Sequence, residues 1–85
     1  MILKELFFQD IETFIFDYNR LTSVDKPVII TAFHRYFERA LLDGLDRETG
    51  ATAITMFVVG CHIPFALLPK ELKIWYSKNS MFVLS

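Results

Sequence analysis

Few side chains in this chain can do chemistry. They are one cysteine, Cys61, two histidines, His34 and His62, and ten carboxylates scattered through 85 residues. A nucleophilic site needs a thiol or hydroxyl, a base within hydrogen-bond reach and a group that orients the base. Cys61 with His34 or His62 supplies the first two on paper. However, Cys61 follows Val58 and Val59 in an uncharged segment, where burial keeps a thiol protonated and inert. A metal centre calls for ligands at set spacings, and no Cys-x2-Cys, His-x3-His or Glu-x-x-His pattern occurs. Adjacent Cys61 and His62 point in different directions on any regular element. Only Gly44, Gly50 and Gly60 are glycines, so there is no glycine-rich phosphate loop. The residues predict no enzyme, no metal and no cofactor.

Charge narrows the field further. The net charge of −1 lacks the basic excess of a nucleic-acid binder, and the aromatic residues do not alternate with basic ones. Residues 1–48 carry six Lys/Arg against nine Asp/Glu, a net of −3, and residues 49–85 carry three Lys against one Glu, a net of +2. Such an asymmetry can orient one copy against another or against a partner. His34, Arg35 and Arg39 form one basic cluster that could hold a phosphate or an acidic partner. His34 and Arg35 are also spaced to pair with Glu38 on an exposed helix face. A lone cysteine makes no internal disulfide, which points to a reducing cytoplasm, and MILKELFFQD does not read as a signal peptide.

The element that must organise the rest runs from about residue 26 to 43. Ile29, Phe33, Tyr36, Phe37 and Ala40 fall on one face of a helical wheel, with Thr31, His34, Arg35, Glu38 and Arg39 opposite. Pro27 suits a first turn, Ser23 or Asp25 can cap it, and Gly44 can close it in a left-handed conformation. Residues 2 to about 19 form a second helix with Leu3, Phe7, Ile11, Phe14 and Tyr18 in register. The turn-forming link from Asn19 to Lys26 then predicts an antiparallel hairpin joined by its aromatic faces. Ile2, Leu6 and Phe16 fall within the polar arc of the first helix. Phe16 either packs on something outside the monomer or lies under the C-terminal tail.

The second half is less decided. Leu45 to Gly50 reads as a charged link, and residues 49–69 contain no Asp, Glu, Lys or Arg. Residues 51–60 suit a buried helix, but their β-branched side chains also suit a strand, and the length of the uncharged run approaches that of a membrane span. Pro64 breaks whatever precedes it, residues 65–69 connect, and Pro69 opens a last helix to Lys78 on which Leu72, Trp75 and Tyr76 share a face. The rival there is a β-hairpin of 73–77 and 81–84.

The expected fold is therefore mainly α, a compact bundle made of the hairpin plus one or two shorter helices. The alternative is α+β, with a small antiparallel sheet in the C-terminal half. One domain is expected. Apolar residues make up 53% of the chain and thirteen residues are aromatic, more than a domain of this size comfortably hides. The expected function follows from that surplus: a small non-catalytic interaction module, a regulator or inhibitor that docks on another protein, as a homodimer or in an obligate complex. Leu6, Asp10, Phe16, Asp17 and Phe82 are the expected contact residues, with Glu5 and Glu12 extending the acidic rim. The rival classes are a membrane-associated protein inserting residues 50–69 and a minimal ligand-binding domain or enzyme.

Overall fold

The computed structural model describes residues 3–84, with side chains described from 3 to 78. It has four α-helices, α1 (Lys4–Arg20), α2 (Lys26–Leu42), α3 (Arg47–Cys61) and α4 (Lys70–Leu84), with a 3-10 turn at Phe65–Leu67. There is no strand among the described residues, so the strand at 51–60 and the hairpin at 73–84 are both corrected, and with them the α+β alternative. The helical bundle is the fold.

Local chemistry explains the element ends. Pro27 stands in the first turn of α2, where its missing N–H costs nothing. Gly44 takes φ 105° just past the helix, the left-handed conformation expected of it. The capping expectation is only half met: Asp25 stands at the N-cap, but its carboxylate receives the Thr22 hydroxyl at 3.2 Å instead of a helix N–H. The charged link is shorter than the sequence suggests. Asp46 ends it by accepting the Thr49 N–H at 3.0 Å and the Thr49 hydroxyl at 2.7 Å, and α3 starts at Arg47. Helix α3 runs to Cys61 and closes on His62 at φ 53°, two residues before Pro64.

α3 is a helix despite its β-branched residues because its neighbours cover one side of it, and two of its threonines satisfy their hydroxyls by bonding back along it. The hydroxyl of Thr52 donates to the Glu48 carbonyl at 3.0 Å, and that of Thr55 to the Ala51 carbonyl at 2.9 Å. The other half of its surface, Gly50, Ala53, Ile54, Phe57, Val58 and Cys61, is buried against its neighbours. With fifteen residues it is too short to span a bilayer, and no described helix is long and apolar enough to cross a membrane.

Paired residues give the topology. Phe7 stacks on Tyr36 and Phe14 packs edge-on against Phe33, so α1 and α2 run antiparallel as predicted. Lys4 lies 3.8 Å from Asp46 at one end of the α1–α3 pair, and Asn19 donates to the Gly60 carbonyl at 3.0 Å at the other, so these two helices run parallel. Trp75 of α4 reaches Gly50 near the start of α3, and its ring stands edge-on to Phe37 of α2. α1, α2 and α3 thus run up-down-up, with α4 packed on α3 and α2. Two glycines permit the closest approaches: a Cβ on Gly60 would stand 3.2 Å from Ile15, and one on Gly50 would stand 3.3 Å from Trp75. At the centre Phe33 is fully buried and stacks on Phe57 with ring centroids 4.0 Å apart.

Candidate functional site

Two surfaces concentrate what this protein presents to its surroundings. The first is the outer face of α1. A helix that buries Phe7, Ile11 and Tyr18 turns its opposite arc to solvent, and on that arc stand Leu6 and Phe16. Phe16 is 64% exposed, at the edge of an open recess of about 410 Å3 lined by Glu12, Ile15, Asn19 and Arg20. The Arg20 guanidinium lies 5.5 Å from the Phe16 ring centre, so one side of the ring is already held by a cation. Nothing among the described residues covers the rest of it.

The acidic residues of this arc divide into two kinds. Asp10 accepts the Tyr36 hydroxyl at 2.5 Å, a bond that ties α1 to α2. Burial first, and Asp10 second, push the Tyr36 hydroxyl well above its ordinary value. Asp17 pairs with Arg20 at 3.3 Å. Glu12 stands one turn before Phe16, and Glu5 two turns further along the same strip. Neither has an ion-pair partner among the described residues. Glu5, Asp10 and Glu12 are thus exposed and Asp17 half-buried; Asp17 is ion-paired and Asp10 is engaged by a hydroxyl, while Glu5 and Glu12 are held by neither among the described residues. Phe82 belongs to α4, and its side chain lies outside the described ones, as does Ile2.

The second surface is the seam between α2 and α4. His34 does not face solvent with the arginines. Its side chain is 20% exposed, and its Nε2 lies 2.5 Å from a Glu71 oxygen of α4 and 3.7 Å from a Glu38 oxygen. Arg39, also exposed, pairs with Asp43 at 3.3 Å, leaving Arg35 as the one of the three without an ion pair among the described residues. The predicted basic cluster is accordingly dispersed. Beside His34 is a recess of about 120 Å3 walled by Phe37, Leu41, Leu72 and Trp75. Sequence spacing flagged His34 with Glu38 only as a surface pair; Glu71 is 37 residues from His34, and no local pattern joins them.

Cys61 is buried, and burial pushes its thiol up to about 11, with Lys26 pulling weakly the other way. His62 is exposed at the left-handed end of α3. Among the described residues, no set of nucleophile, base and orienting group converges around them.

Fold and surfaces together define a small all-helical bundle protein with an acidic, aromatic outer face. The chain matches no family model, no curated protein and no solved structure.

Proposed function

We propose that this protein is a non-catalytic interaction module, a regulator or inhibitor that acts in the cytoplasm by docking the outer face of α1 on another protein. The observation that carries this reading is Phe16, a large aromatic ring left 64% exposed on a helix whose other aromatic residues are buried or packed on the core. Aromatic residues at the centre of a contact, ringed by charge, are the usual anchors of protein interfaces. The unpaired Glu5 and Glu12 specify the occupant: a partner surface with an apolar pocket for the ring and a cationic rim. Rim charges of this kind speed association and make it salt-sensitive.

A photoreactive amino acid placed at Phe16 tests the reading, with one at exposed Val28 on α2 as the control. The expected result is a single stoichiometric adduct from position 16 with a protein of basic surface. Adding Glu5→Lys and Glu12→Lys, or salt, should weaken it. Equal adducts from both positions, or none from position 16, would sink the proposal. The other occupant is a second copy of the chain. Light scattering that reports twice the 9.9 kDa mass, returned to 9.9 kDa by Phe16→Glu, would assign the face to self-association instead.

A further inference from the structure

Three side chains with metal-ligating atoms meet on the α2–α4 seam. His34 and Glu38 lie one turn apart on the same face of α2, and Glu71 reaches them from the first turn of α4. One atom of each, the histidine nitrogen and one oxygen from either carboxylate, lies within 4.8 Å of the other two. We propose that His34, Glu38 and Glu71 bind a divalent transition-metal ion of the zinc class, and that this ion clamps the start of α4 to α2.

Geometry comes first. Donors bound to one zinc at about 2.0 to 2.2 Å stand roughly 3.0 to 3.5 Å from one another in tetrahedral or octahedral arrangements. The observed separations from His34 Nε2, 2.5 Å to Glu71 and 3.7 Å to Glu38, lie on either side of that range. Both carboxylates are more than half exposed, so small side-chain rotations reach the bound arrangement without moving a helix. The imidazole, by contrast, is held: its side chain is four-fifths covered, with Phe37, Leu72 and Trp75 lining the recess beside it. A fixed nitrogen with two adjustable oxygens is a workable starting site.

Charge and ligand chemistry point the same way. Two carboxylates converge on one imidazole, and even a protonated imidazole neutralises only one of them, whereas a doubly charged ion neutralises both. The nitrogen donor selects the class. Calcium and magnesium prefer all-oxygen sets and more ligands, while an imidazole with carboxylates suits zinc and its neighbours in the transition series. Three protein ligands leave a position for water. Because the ligands come from α2 and α4, binding adds to a junction that the His34–Glu71 hydrogen bond and the apolar contacts around Leu72 and Trp75 already hold at this end.

The test uses the untagged 85-residue chain, stripped with a chelator and titrated calorimetrically with Zn2+, with Mg2+ as the comparison. Thermal melts are recorded with and without each ion. The expected result is one saturable Zn2+ site that raises Tm, with no comparable effect of Mg2+. Glu38→Gln is the deciding variant, since it leaves the His34–Glu71 hydrogen bond and the core in place. It should weaken Zn2+ binding by at least about 10-fold, the least that loss of a supporting group costs a metal site. His34→Gln should do the same, and Cys61→Ser should bind as the parent does. No saturable binding, or binding unchanged in both Glu38→Gln and His34→Gln, would overturn the proposal and leave the cluster as an interhelical ion pair.

Discussion

Two single residues carry charge states that can be read out directly. Burial holds the Cys61 thiol at about 11, so almost none of it is thiolate at neutral pH. The native protein should therefore resist a thiol reagent that labels it fully once unfolded. Rapid labelling of the folded chain would show that Cys61 is not buried. The raised value also fixes a sign. The stabilisation linked to the protonated thiol is complete below the ordinary value of 9.0 and is lost as pH rises through about 11. Urea midpoints of the parent should fall over that window more than those of Cys61→Ala; Tyr36 contributes equally to both, while Tyr18, raised first by burial and then by the charge of Cys61, is raised less in the variant and widens the difference in the same direction. Asp46 works in the opposite direction. Hydrogen bonds from the Thr49 hydroxyl, then from the Thr49 N–H, lower its carboxyl below the ordinary range. The contribution it makes is present above the ordinary carboxylate value and lost as pH falls through the lowered one. Asp46→Ala should lower Tm at neutral pH, and the gap should close in acid; a gap unchanged with pH would deny Asp46 the charged-cap role.

At the scale of the helices, stability is set by how completely each aromatic residue is enclosed. The sequence places Phe14 and Phe33 on equivalent core faces of their helices. The structure separates them: Phe33 is sealed between Phe37, Phe57 and Phe14, while Phe14 lies at the margin of the core. Phe33→Ala should cost about 3 to 5 kcal/mol, a large part of the stability of a domain this size. Phe14→Ala should cost clearly less, and chemical denaturation of the two variants checks the order. Equal losses would mean that the α1–α2 seam is tighter than its exposure indicates. Helix α3 shows why its own sequence was ambiguous. Past Arg47 and Glu48 in its first turn, its exposed positions are Thr52 and Val59, so no charged stripe marks a solvent face along the rest of the helix. Periodicity has nothing to register when both faces are uncharged.

For the whole molecule, the surplus of aromatic residues is smaller than composition implied. Phe7, Phe33, Phe37, Phe57 and Tyr18 are buried, and Phe8, Phe14, Tyr36, Trp75 and Tyr76 pack on the core. Of the side chains described, only Phe16 and Phe65 are left exposed, and Phe65 is faced by Lys73 and Tyr76. Four helices enclose more rings than a hairpin with two short appendages would, because α3 is a full helix packed against both α1 and α4. The radius of gyration, 12.3 Å, is close to the roughly 12 Å of a compact chain this long. The remaining apolar surface is mostly aliphatic and scattered, as on most soluble proteins. What singles out the α1 face is the kind of residue it exposes, not the total apolar area. That shifts the weight of the functional proposal from composition to Phe16 and the carboxylates beside it.

Sequence alone determined α1, α2 and their antiparallel pairing. Their apolar residues recur every three to four positions against a charged face, and Pro27 and Gly44 mark one start and one stop by backbone chemistry that is local. It also determined the break at Pro64 and the place of Leu6 and Phe16 on the polar arc of α1, but not whether the C-terminal tail covers Phe16; its 64% exposure is read from the structure. Tertiary structure decided the rest. Residues 51–60 become helix because α1, α2 and α4 supply the surfaces that cover them, and residues 73–84 join a helix from Lys70 instead of a hairpin. The same holds for chemistry at a distance. Asp10 meets Tyr36 across 26 positions and His34 meets Glu71 across 37, and neither pairing leaves a trace in local spacing. A periodic pattern reports which side of a helix faces inward. Which residue of another helix waits there is fixed only when the helices pack.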